Sequence, residues 1–145
     1  MNEHKFSLKE TRADLLSVSN EYYIAHSISG DFTLGAGVAK QMDKKFNIKH
    51  KLKAYYGDHE TKSKAILIDN VFNLVTKPTR YDKATYSNLT KALKDMKEQA
   101  ILLNISKIAM PRISSGMDGL KWLKVKSIVI DTFKDTNIEV LVCYL

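Results

Sequence analysis

The stretch Ala65-Ile66-Leu67-Ile68-Asp69-Asn70-Val71-Phe72-Asn73-Leu74-Val75-Thr76-Lys77 decides the architecture. Two short runs, 65–68 and 71–76, are rich in β-branched and aromatic residues and are parted by Asp69-Asn70, a pair suited to a hairpin turn. Downstream, Tyr86, Leu89, Leu93, Met96, Ala100 and Leu103 advance by threes and fours, which predicts an amphipathic helix with Thr85 as its N-cap. Lys107-Ile108-Ala109-Met110 reads as a strand ended by Pro111, Trp122, Val125, Val129 and Phe133 mark a helix, and 138–142 is a last strand. Upstream, 22–29 has strand length and composition, and Val38, Met42 and Phe46 recur at helical spacing from Gly37. Helices alternating with strands predict an α/β domain whose helices cover both faces of a central sheet. The hairpin makes that sheet mixed. No linker, repeat or low-complexity tract divides the 145 residues, so one domain over 1–145 is expected.

Composition narrows the class. The chain is 44% hydrophobic and 27% charged, a globular balance rather than a disordered one. A single cysteine, Cys143, excludes an intramolecular disulfide framework and a thiolate metal site, and fits a reducing, cytoplasmic compartment. No apolar run approaches the roughly 20 residues of a membrane span. The segment MNEHKFSLKE lacks the apolar core of a signal peptide. Neither a metal nor an organic cofactor is called for, no membrane partner is expected, and the expected state is a monomer. Twenty-three Lys and Arg against sixteen Asp and Glu leave a net charge of +7, which favours anionic partners. The densest run, Lys44, Lys45, Lys49, His50, Lys51 and Lys53, reads as solvated helical surface. No helix-turn-helix, zinc-finger or RNA-recognition signature accompanies it, so nucleic acid is not the expected partner.

Two loops carry the chemical information. Gly30-Asp31-Phe32-Thr33-Leu34-Gly35-Ala36-Gly37 joins a strand to the helix that contains Val38. Small residues before a helix start let a phosphate approach the free backbone N–H groups. Pro111-Arg112-Ile113-Ser114-Ser115-Gly116-Met117-Asp118-Gly119-Leu120 repeats the theme after strand 107–110, and its N–H groups suit an anion-binding nest. Together they suggest a diphosphate held between two strand ends. Lys77, at the end of strand 71–76, has either the same crevice or the surface open to it.

The ordered set Ala13-Asp14-Leu15-Leu16, Ala25-His26-Ser27-Ile28-Ser29, Gly35-Ala36-Gly37-Val38-Ala39, Leu74-Val75-Thr76-Lys77, Thr85-Tyr86-Ser87-Asn88-Leu89, Met110-Pro111-Arg112-Ile113 and Gly116-Met117-Asp118 resembles the macrodomains, which recognise ADP-ribose. The likeness is nearest to the branch of terminal ADP-ribose protein glycohydrolases and ADP-ribose-1''-phosphate phosphatases. It implies a three-layer α/β/α macrodomain fold with a central mixed sheet, and a partner that is ADP-ribose or an ADP-ribosylated protein. Residue by residue, it implies that Asp14 accepts from the adenine amino group. Ser29, Gly35, Ala36, Gly37 and Val38 would form the loop around the distal ribose and diphosphate. Thr76 would lie beside the ligand, and Ser114, Ser115, Gly116 and Met117 would form the second phosphate loop. Lys77 and Asp118 match the lysine nucleophile and acid/base carboxylate of a hydrolase acting on glutamate or aspartate esters. His26 matches a histidine of the phosphatase branch, the alternative activity, and a non-catalytic reader is a third reading. From the residues alone His26 reads as a buried strand histidine satisfied by backbone, Asp14 as an Asx turn, and Trp122 and Tyr144 as core packing. Where common macrodomain hydrolases carry an asparagine in the first loop, this chain has Ser29. A second lysine often seen beside the nucleophile is here Pro78.

Overall fold

The computed structural model describes residues 5–116 and 118–145. The chain runs β1 (Ser7–Arg12), a 3-10 turn at Leu15–Ser17, β2 (Tyr23–Ser29), α1 (Gly37–Phe46), α2 (Ile48–Tyr56), β3 (Ala65–Ile68), β4 (Val71–Lys77), α3 (Tyr86–Leu102), β5 (Lys107–Met110), α4 (Trp122–Phe133) and β6 (Glu139–Tyr144). The strands form one six-stranded sheet in the order β1-β6-β5-β2-β4-β3. Every pairing is parallel except the β3–β4 hairpin, whose turn is made by Asp69 in the left-handed region at φ 53°. The expected mixed sheet is therefore present. Helix α2 and strand β1 had not been delimited from the sequence.

Alternation along the strands sorts side chains to two cores. Phe72, Leu74, Ile108, Met110, Val140 and Val142 pack with Leu89, Leu93 and Met96 of α3 and Val125, Val129 and Phe133 of α4. On the opposite face Ile24, Ile28, Ile66, Ile68, Val71 and Val75 pack with Met42 of α1 and Ile48 and Leu52 of α2. Three layers result. α3 begins where the Thr85 hydroxyl accepts the Asn88 N–H at 3.0 Å, the expected cap. α4 lacks a side-chain cap, and the Lys121 N–H ahead of it donates to the Tyr86 hydroxyl at 3.0 Å.

The β3 edge of the sheet is covered. The outward-facing Ala65 N–H donates to Asp95 Oδ2 at 2.8 Å, and its carbonyl accepts from Gln99 Nε2 at 2.8 Å, both side chains coming from α3.

The topology also makes a crevice. β2 leads through α1 and α2 toward β3 and β4, whereas β5 leads through α4 toward β6, so their connections leave in opposite directions. Such a switch point is where open α/β sheets bind ligands. β2 and β5 pair only at Tyr23↔Ile108 and Ile24↔Ala109; beyond that His26 to Ser29 stay registered with β4 alone. The strands part there, and the gap is the floor of the site.

Candidate functional site

A cavity of about 580 Å³ fills this gap, within the usual range for small-molecule sites. Its floor is His26 to Ser29. One wall is Thr33 to Ala39 from the loop after β2 and the start of α1. The other walls are Pro111 to Ser114, Gly116 and Asp118 after β5, and Lys77, Arg80 and Tyr81 after β4.

Loop 1, between β2 and α1, is tightly built. Gly30 is clamped: its N–H donates to the Lys77 carbonyl and its own carbonyl accepts the Glu60 N–H, both at 2.8 Å. A Cβ at this position would sit 1.8 Å from the Glu60 carbonyl oxygen, so only glycine fits. Phe32 and Leu34 hold left-handed backbone, φ 54° and 43°, which costs roughly 1–2 kcal/mol per residue for side chains of this kind. Both side chains are buried in the α1/α2 core, which offsets that strain. The Asp31 carboxylate accepts from the Ser29 hydroxyl at 2.6 Å, the Thr33 hydroxyl at 3.2 Å and the Arg80 N–H at 2.9 Å. Burial pushes Asp31 up, but these donors outweigh it and hold its carboxyl below the usual range. The loop delivers Gly37, at φ 58°, as the first residue of α1, whose start has no side-chain cap and no acidic residue in its first turn. Those free N–H groups face an anion favourably.

Loop 2, between β5 and α4, is tied mainly by short backbone turns: Ser115 N–H to the Arg112 carbonyl, Gly119 N–H to Gly116, and Leu120 N–H to Ser114. Ser114 is left-handed at φ 59°, and its buried hydroxyl has no partner among the described residues. It lines the cavity. Ser115 does not; its hydroxyl turns back to the Ile113 carbonyl at 3.3 Å. Met117 lies outside the described residues.

Lys77 reaches the crevice through an irregularity in the sheet. Ile28 pairs with Val75, but Ser29 pairs with Lys77, so Thr76 is an extra residue on β4. A bulge of this kind re-aims the residues beside it. Thr76 itself is fully buried, its hydroxyl has no partner among the described residues, and it does not line the cavity. Lys77 Nζ stands 2.8 Å from Asp118 Oδ1, the side chains 18% and 14% exposed. The geometry therefore joins residues 41 positions apart that only the family resemblance had linked.

His26 faces the α1/α2 side, in register with Asn73. Asn73 Nδ2 donates to the carbonyls of Ile66 and Val71, so its Oδ1 must accept from His26 Nε2, at 2.5 Å. The proton thus sits on Nε2, and Nδ1 is a buried acceptor with no partner among the described residues. Burial pushes the imidazole pKa down to about 4, against the opposing hydrogen bond, so the ring is neutral at pH 7. The expected backbone partner is replaced by a side chain.

Asp14 lies at the end of β1, exposed and outside the cavity lining, where its Oδ1 accepts the Leu16 N–H at 3.0 Å; the Asx-turn reading describes this geometry. Trp122 and Tyr144 are only half-buried. The Trp122 indole donates to Glu10 at 2.9 Å, and the Arg112 guanidinium lies 4.3 Å from the Tyr144 ring centre. The Lys126 hydrogen bond, together with Trp122 and Arg112, holds Glu10 below its usual pKa against burial. Burial, with Asp14 nearby, pushes the Cys143 thiol up, consistent with an inert packing role. Gly30, Asp31, Arg80 and Arg112 were not assigned to the site from sequence. Only the glycine–aspartate pair inside a short strand-to-helix loop could have signalled two of them.

Fold and site together define a macrodomain: residues 25–129 match the Macro domain family, and the chain belongs to it. It is 31% identical over 136 residues to the human (Homo sapiens) protein named ADP-ribose glycohydrolase OARD1, covering 90% of this chain and 87% of that one. The macrodomain of Thermus aquaticus DarG superposes with a TM-score of 0.83 at 22% identity, over 97% of this chain and 99% of that one. Thermosipho africanus DarTG, solved in complex with ADP-ribose, gives a TM-score of 0.68 at 17% identity over 97% of this chain and 42% of that one. Among the described residues no helix is long and apolar enough to cross a membrane.

Proposed function

We propose that this chain, as a single macrodomain, binds ADP-ribose in the crevice and releases it from glutamate or aspartate esters on proteins. The observation that carries the reading is the Lys77–Asp118 pair, 2.8 Å apart at the wall of a cavity bounded by two anion-suited loops. The similarity to a named ADP-ribose glycohydrolase supports it. The diphosphate would lie across the start of α1 and loop 2, leaving the distal ribose beside Lys77.

An ammonium paired with a carboxylate is not a nucleophile. Transfer of one proton from Nζ to Asp118 yields a neutral amine and a carboxylic acid in the same contact. The amine then bonds to C1'' of the distal ribose while the C1''–O bond to the protein ester breaks, and Asp118 returns the proton to the departing oxygen. Asp118, again a carboxylate, then takes a proton from the water that hydrolyses the C1''–Nζ adduct, freeing ADP-ribose and the amine; loss of the carboxylate slows this second step most.

Hydrolysis of a glutamate-linked substrate by wild type, Lys77→Ala and Asp118→Ala is the test. Both variants should lose turnover while remaining folded, and an ADP-ribose adduct on Lys77 should accumulate in Asp118→Ala, read by mass spectrometry. Equal turnover in all three proteins overturns the mechanism. Binding without turnover in wild type would leave a reader. For free ADP-ribose, Gly37→Glu should nearly abolish binding by placing bulk and negative charge at the helix start. Asp14→Ala should weaken it by about tenfold to a hundredfold through loss of one charge-assisted hydrogen bond.

One observation favours a second reading, phosphate release from ADP-ribose-1''-phosphate: His26 is neutral, with an unpartnered Nδ1, on the floor of the crevice. Its burial, 1% exposed, argues against direct contact with a phosphate. Release that survives Lys77→Ala but not His26→Ala would put that reading first.

A further inference from the structure

The most heavily hydrogen-bonded carboxylate around the crevice is not part of its lining. Asp31 does not line the cavity, yet the groups bonded to its carboxylate all belong to cavity-lining residues. Oδ1 takes the hydroxyls of Ser29 and Thr33, and Oδ2 takes the Arg80 N–H at 2.9 Å, with the Arg80 guanidinium at 3.6 Å. One oxygen thus holds loop 1 and the other holds the loop after β4. Between these two loops the Gly30 N–H is bonded to the carbonyl of Lys77 itself. The Asp31 strut therefore runs beside the direct backbone tie between loop 1 and the lysine.

The fold does not require such an arrangement for burial. Asp31 is a half-buried carboxylate, its side chain 21% exposed, in a loop whose stability comes from Phe32 and Leu34. Four donors converging on it tie the two walls together through side chains, in addition to the Gly30–Lys77 backbone bond. Arg80 in turn carries Tyr81, donating to its hydroxyl at 2.9 Å with the guanidinium 4.7 Å from the ring centre. The strut therefore reaches the outer rim as well as the loop after β4.

We propose that Asp31 is a positioning residue, setting the distance between the loop that would hold the distal ribose and the wall that carries Lys77. Its kinetic part rests on the hydrolase reading; its binding part does not. A misplacement of about 1 Å between reacting groups can cost a hundredfold in rate, so a strut acts mainly on turnover.

The experiment compares wild type, Asp31→Asn, Thr33→Val and the double variant. Asp31→Asn keeps the size but supplies an amide donor where Arg80 also donates. It should melt within a few degrees of wild type. Its kcat on the glutamate-linked ester should fall by about tenfold to a hundredfold, with KM and the ADP-ribose Kd rising only severalfold. Thr33→Val should have a smaller effect in the same direction, and the double variant should add little to Asp31→Asn, because both act through one carboxylate. Additive losses, unchanged kcat, or a fall in activity explained by unfolding would overturn the proposal. If wild type turns over no ester, the hydrolase reading fails by itself. Calorimetry with ADP-ribose then decides the strut: a severalfold weaker Kd in folded Asp31→Asn supports it, and an unchanged Kd overturns it.

Discussion

Loops 1 and 2 face each other across the crevice and are built on opposite plans. Loop 1 has two buried apolar anchors, a clamped glycine and a carboxylate with four donors, and its strained residues are held by burial. Among the described residues, loop 2 has short turn bonds, an unpartnered Ser114 hydroxyl, and glycines at 116 and 119 with nothing within 4 Å of an added Cβ. The first is pre-organised by the fold; the second leaves its polar groups to be completed by what binds. Of the two, loop 2 is the one that carries Asp118, which Lys77 holds from across the crevice.

The contrast can be broken most directly at the glycines. Gly30→Ala forces a Cβ into the Glu60 carbonyl, and a loss of about 4 kcal/mol or more is expected, seen as a fall in denaturation midpoint. Gly116→Ala, the counterpart in loop 2, should stay within about 0.5 kcal/mol of wild type. A similar loss at both would end the comparison. Phe32→Ala should cost about 3–5 kcal/mol by emptying the anchor of loop 1.

Below the two loops, His26 ties stability to acidity. Its folded pKa, about 4, lies below the ordinary histidine value, so between pH 6.5 and 4 the unfolded chain binds a proton that the folded chain refuses. Stability should therefore fall as pH drops through that window, by up to about 3 kcal/mol from this group. His26→Gln should flatten the difference curve in urea titrations; an unchanged slope would place the acid sensitivity elsewhere. The smallest expected effect is Ser114→Ala, which breaks no hydrogen bond among the described residues and should leave stability within about 0.5 kcal/mol. The same variant should weaken ADP-ribose, measured by calorimetry, if the hydroxyl is completed by ligand.

Periodicity made the larger elements legible. Helix α3 begins at the Thr85 cap, strand β5 spans Lys107–Met110, and the Asp69-Asn70 turn joins β3 to β4, because each is set by local propensity and by which side chains must be buried. Strand β1 was harder to delimit: Ser7–Arg12 is half-exposed along its length and lies at the sheet edge, so its pattern carries little apolar signal. The site was legible only where a motif carried it. Lys77 and Asp118 were named, but their contact depends on a one-residue bulge at Thr76, and register is a tertiary property. Asp31 is not legible in the sequence because its four donors come from three separate residues, one of them 49 positions away. Asp14 differs again: its Oδ1 closes its own turn, and only the family resemblance carries its reading as an adenine contact.

The closed edge at β3 has a consequence for how the molecule behaves in a crowded solution. A strand can recruit a stranger only by offering alternate N–H and C=O groups in a row, and here the first outward pair, at Ala65, is already taken by Asp95 and Gln99. In a four-residue strand that leaves Leu67 as the single remaining outward residue, too short a template for edge-to-edge polymerisation. Two polar side chains on a neighbouring helix thus act as a guard against aggregation at the side of the sheet remote from β1.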